Sequence, residues 1–122
     1  MKITLRLIML SILLTACGSL SSDETIRRKA VGTWAPISHP SRVIQNKPDG
    51  SFVCQDAKSP ANVLTVAGRW QVTDGFMVMR GTNASLPGAE PLVERYQVVR
   101  IDDREMVLRR DGQTNLITVH KR

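Results

Sequence analysis

The 122-residue chain carries 17 lysine and arginine side chains against 11 acidic ones, a formal charge of +6, and only 4% of it is aromatic. That length suits one domain enclosing one core, and a second domain is not expected. A modest basic surplus with few aromatics and no recognition motif gives no footing to nucleic-acid binding.

The amino terminus opens with Lys2 and Arg6 and continues into the apolar run Leu7 to Leu14, which ends at Thr15-Ala16-Cys17. A charged region followed by a short apolar one has the form of an export signal, and the run falls well short of the roughly 20 residues a membrane-spanning helix needs. The tetrad Leu14-Thr15-Ala16-Cys17 resembles the bacterial lipobox. The resemblance implies that residues 1–16 are a lipoprotein signal peptide and that Cys17 becomes the acylated first residue, carrying palmitate-type chains that hold the protein on a membrane. Each buried methylene of such a chain adds about 0.8 kcal/mol of membrane affinity. Gly18 in the next position, where aspartate would signal retention, implies the periplasmic face of the outer membrane under the sorting rule of enteric bacteria. By themselves the residues also fit an ordinary signal peptide ending at Ala16.

Without Lys2 and Arg6 the charge falls to +4, and its clustering matters more than its sum. Arg27-Arg28-Lys29 either faces anionic headgroups beside the anchor or forms a solvated stretch. A lipid on Cys17 leaves Cys54 without a disulfide partner. Its expected state in an oxidising compartment is burial on a strand as a small hydrophobe. The alternative, a reactive thiol, would need a base from His39 or His120.

Residues 17–25 read as the lipidated cysteine and a small, polar, flexible tether, and residues 26–122 as the folded domain. Asp23 to Val31 places acids first and bases last, which matches the helix macrodipole and predicts a short helix capped by Ser22 or Asp23 and ended by Gly32. From there alternation predicts strands at Thr33–Ser38, Arg42–Gln45, Ser51–Asp56, Val63–Thr73, Phe76–Thr82, Leu92–Ile101, Glu105–Arg110 and Thr114–Lys121. Pro48-Asp49-Gly50, Asp74-Gly75, Asp102-Asp103 and Asp111-Gly112 mark the reversals. Asn83 to Pro91, with two prolines and a glycine, predicts a longer loop over one end of the sheet. The expected fold is all-β: an antiparallel meander of six to eight strands forming a small barrel after a short N-terminal helix.

Gly32-Thr33-Trp34 at the first strand resembles the Gly-x-Trp opening of lipocalin-like domains, and Gly68-Arg69-Trp70 before Asp74-Gly75 resembles the mid-domain phrase of their small bacterial members. Lys47 to Phe52 and Tyr96 to Leu108 are similar to the early hairpin and closing meander of the same proteins. The resemblance implies a small apolar ligand or lipid held in the barrel, with Trp34, Phe52, Trp70, Met77 and Met79 as candidate lining residues. The residues themselves put both tryptophans in the core first, and ligand lining second. In longer lipocalins a basic residue near the last strand packs over the first tryptophan. Arg109, Arg110 and Arg122 are the arginines within reach of that role, and spacing does not choose among them.

The chain has no Cys-x-x-Cys, His-Glu-x-x-His, Gly-x-Ser-x-Gly or phosphate-binding glycine loop. Adjacent Asp102 and Asp103 fit a turn better than a catalytic pair. Neither an enzyme nor a cofactor nor a metal is expected. Two functional classes remain: a membrane-tethered binding module, or an envelope interaction lipoprotein (inhibitor, immunity factor or assembly accessory) with a filled barrel. A cavity of roughly 300 Å³ or more separates the first from the second.

Overall fold

The computed structural model describes residues 22–56, 65–83 and 88–122. The predicted signal peptide, Cys17 and residues 84–87 of the predicted long loop lie outside them. One helix, α1 (Asp23–Ala30), precedes eight strands: β1 (Gly32–Pro36), β2 (Arg42–Asn46), β3 (Ser51–Asp56), β4 (Val66–Thr73), β5 (Phe76–Asn83), β6 (Leu92–Ile101), β7 (Glu105–Arg110) and β8 (Leu116–Lys121). Each strand pairs antiparallel with the next, and β8 returns to β1, so the meander is a closed barrel with no free sheet edge. Several expected strand limits shift: β1 begins at Gly32, β2 runs on to Asn46 and β5 to Asn83. β1 ends at Pro36, which has no N–H for the ladder; the chain turns there, with His39 N–H donating to Pro36 O. β4 starts at Val66, the expected Val63 and Leu64 lying outside the described residues, and β8 starts at Leu116 rather than Thr114.

Alternation along the strands becomes an inside and an outside. On β5, Met77, Met79 and Gly81 are buried while Arg80 between them is exposed. The two-residue hairpin between β4 and β5 joins the pair Thr73 and Phe76, with Asp74 at φ 53° and Gly75 at φ 78°. Positive φ at both positions gives the type I′ turn, whose twist suits paired strands. Turn carboxylates do local work elsewhere. Asp49 accepts from the Ser51 hydroxyl (2.6 Å) and N–H (2.9 Å), which hold its carboxyl below the usual range. Asp102 accepts from the N–H groups of Arg104 and Glu105, with the same effect.

In an up-and-down barrel, connections alternate between the two ends. The β2–β3, β4–β5 and β6–β7 turns, the start of β1 and the end of β8 share one end, and α1 closes it. Ser22 is the cap, its Oγ accepting from Thr25 N–H at 3.1 Å. Asp23 reaches down instead, its carboxylate accepting from the N–H groups of Asp74 and Gly75 at 2.8 Å each, which ties the first helical turn to the β4–β5 hairpin. Ile26 and Ala30 are buried beneath the helix. Arg27, one of the three clustered cations, lies over the Trp70 ring at 5.3 Å and donates to Pro48 O at 3.2 Å while remaining exposed. Among the described residues no helix is long and apolar enough to cross a membrane.

Candidate functional site

The core does not fill the barrel. A cavity of about 420 Å³ occupies its middle and opens at the end opposite α1, where the β1–β2, β3–β4, β5–β6 and β7–β8 connections lie. Its deep part is formed by Trp34, Asn46, Phe52, Met77, Met106 and Val119, from the strand segments nearest α1. Ile44, Met79, Leu108 and Ile117 form much of the wall, and Pro36, Ser38, His39, Arg42, Leu92 and Glu94 surround the opening. An apolar chamber with a few converging polar groups is the common form of a small-molecule site. Exposed Ile37, Leu92, Val93 and Leu116 all sit at strand ends on this same side, so the mouth has an apolar rim.

Four of the five residues singled out from sequence, Trp34, Phe52, Met77 and Met79, line the cavity. Trp70 does not. It is core at the closed end, 3% exposed, with its indole N–H donating to Lys47 O at 3.0 Å and Arg27 over its ring. The two Gly-x-Trp phrases look alike in sequence, but they place their indoles at different depths. Trp34, 1% exposed, donates from Nε1 to Ala30 O at 2.9 Å, the last carbonyl of α1. The cation over Trp34 is not one of the three arginines that spacing allowed. It is Lys121, whose Nζ lies 5.2 Å from the ring centroid and donates to Lys29 O at 3.4 Å. Arg122 instead donates its N–H to Thr33 O and a guanidinium N–H to Pro40 O. In β8 alternation sends Lys121 toward the closed end of the barrel and leaves Arg122 outside. Gly32, two residues before Trp34, has φ 134°, a backbone conformation that calls for glycine; the Cβ contact of 2.7 Å would be with Lys121 Cε, the end of a flexible side chain that can move aside.

Composition and alternation did not single out the polar side of the chamber. The Tyr96 hydroxyl donates to the Glu94 carboxylate, two residues earlier on the same face of β6, and Arg110 lies 3.6 Å from the other Glu94 oxygen. Burial, and then the neighbouring carboxylate, push the Tyr96 phenol far above its ordinary range, so it is a neutral donor. Cys54 also lines the chamber. It is half-buried rather than fully buried as its sequence suggested, and desolvation raises its pKa, which disfavours the nucleophilic thiolate. His39 stands at the mouth, while His120 lies outside it and bonds Glu105 at 3.0 Å. Glu105 also pairs with Arg100, so the acids of this turn serve local ion pairs and turn geometry.

Asn46 is the one buried polar side chain among the described residues, 2% exposed at the end of β2. Its Nδ2 donates to Ala30 O at 3.1 Å and faces the Met77 sulfur at 3.9 Å. An asparagine on a barrel strand beside a turn gives no sequence signal of burial. No known protein family and no curated protein sequence matches this chain.

Proposed function

We propose that the protein is an exported lipoprotein whose lipocalin-like barrel binds a small apolar or amphiphilic molecule in the cell envelope. The observation that carries this reading is the open chamber of about 420 Å³, above the size at which a barrel counts as a container. A partner-binding lipoprotein with a filled barrel has no use for that volume, and an unfilled chamber forfeits packing that a solid core would keep. Besides Ser38, His39, Arg42 and Glu94 at the opening, the polar groups of the chamber are a neutral phenol, an amide and a thiol kept protonated, a set that suits binding.

The lipobox at Leu14 to Cys17 supports membrane attachment through acyl chains on Cys17, and Gly18 supports the periplasmic face of the outer membrane. α1 follows the tether and caps the closed end, so an anchor at Cys17 leads to the end opposite the mouth.

Titration of the purified protein with medium-chain alcohols and fatty acids, followed by tryptophan fluorescence and native mass spectrometry, tests the reading. A saturable change with one-to-one stoichiometry is expected, because Trp34 lines the chamber. Absence of any bound species and of any saturable signal would defeat it. Separately, Cys17→Ser is expected to abolish incorporation of labelled palmitate and release the protein from membranes.

A further inference from the structure

Buried amides are normally paired, because an unmet acceptor in an apolar site keeps the full cost of its lost hydration. Asn46 breaks this pattern: it is 98% buried at the deep end of the chamber, and its Oδ1 has no hydrogen-bond partner. The side chain cannot be turned round to cure this. Ala30 O is an acceptor that already receives the Trp34 indole N–H, so only the Asn46 NH₂ can face it. The second amide hydrogen is directed at the Met77 sulfur. Both donors of Asn46 are therefore used, and the one group left without a partner on this chamber-lining residue is an acceptor.

We infer that the chamber takes its ligand head first, and that the head is a neutral hydrogen-bond donor, a hydroxyl or amide N–H, given to Asn46 Oδ1. This rests on the ligand-binding reading and narrows its chemistry. An ionised carboxylate is acceptor-only, so a soap seated head-in would set its charge against Asn46 Oδ1 amid the sulfurs and rings of Met77, Met106 and Trp34. A hydroxyl supplies the missing donor, and its alkyl chain runs along Phe52 and Met79 toward the apolar rim. The entry path admits such a molecule: Glu94 at the mouth is engaged by Tyr96 and Arg110.

The test compares three probes of one chain length on the purified full-length protein: decan-1-ol, its methyl ether, which keeps the oxygen and loses the donor, and decanoate. Affinities come from displacement of an environment-sensitive naphthylamine dye. The alcohol is expected to bind roughly tenfold or more tighter than the ether, the consequence of leaving one buried acceptor unmet. Asn46→Leu is expected to erase the difference, through tighter ether binding. The comparison within the natural protein stands even if that variant fails to fold. Equal affinities for alcohol and ether, the result an ordered water on Oδ1 would give, overturn the donor-head inference and leave ligand binding intact. Preferred binding of decanoate also overturns it. Failure of all three probes to displace the dye defeats the binding reading itself.

Discussion

Placing alanine at Gly68 tests a close backbone approach between β4 and β5. Gly68 on β4 pairs with Gly81 on β5, and a Cβ at Gly68 would lie 1.9 Å from Arg80 O and 2.5 Å from Gly81 Cα. Carbon and oxygen in sheets settle at about 3.3 Å, so the two strands would have to part locally by about 1.4 Å. Both atoms belong to backbone, and no rotamer change can relieve the clash. A closed barrel spreads the displacement into neighbouring pairs, because β4 and β5 are each hydrogen-bonded on both sides. The cost belongs at the upper end of the overpacking range, about 3 kcal/mol. At about 4 °C per kcal/mol for a domain of this size, melting falls by about 12 °C. Gly75→Ala is the control, since Gly75 has φ 78° and open space around its Cα. It carries only the left-handed penalty of about 1 kcal/mol. Thermal unfolding followed by circular dichroism ranks the two. If Gly68→Ala melts at or above Gly75→Ala, the close β4–β5 approach is refuted, and with it the steric reason for glycine in the second Gly-x-Trp phrase.

Tyr96 is the chain's one tyrosine, so phenolate absorbance reports it alone. The folded protein is expected to show no phenolate as pH passes 10.0, whereas the denatured chain titrates there, because burial and Glu94 keep the phenol protonated. Since the raised pKa belongs to the folded state, its contribution to stability is full below pH 10 and is lost as pH rises toward the folded value. Urea midpoints should fall above pH 10, and Tyr96→Phe should flatten that slope; ordinary phenolate titration in the folded state would contradict the buried pair. Cys54 is expected to react with iodoacetamide at pH 8 several-fold more slowly than in urea, because desolvation disfavours its thiolate. Bound ligand should slow it further; alkylation as fast as in the unfolded chain would remove Cys54 from the chamber wall.

Much of the fold was legible because strands declare themselves locally. The limits of β3, β6 and β7 are those that alternation and turn residues predicted. Asp74-Gly75 specified its own hairpin, since both residues tolerate positive φ. The helix was readable from the charge order of Asp23 to Lys29, and the choice between Ser22 and Asp23 as cap was not. That choice turned on the N–H groups of Asp74 and Gly75, 51 and 52 residues away, which engage the Asp23 carboxylate.

The candidate site divides the same way. Bulky apolar residues at alternating positions must face inward, so Trp34, Phe52, Met77 and Met79 could be picked without coordinates, yet period two says which face a residue takes and nothing of its depth along the barrel. Depth separated Trp70 from Trp34, and direction chose Lys121 over the arginines. Only closure of β8 on β1 revealed that eight strands enclose more space than their side chains fill. Only the seating of α1 and of Met77 on β5 against Asn46 occupied its amide hydrogens and left its oxygen unmatched. The sequence by itself determined a small antiparallel β domain, because strand alternation and turn preference are properties of adjacent residues. Tertiary structure alone decided that the domain has a chamber and where that chamber is polar, because volume and hydrogen-bond satisfaction depend on residues that meet only when the barrel closes.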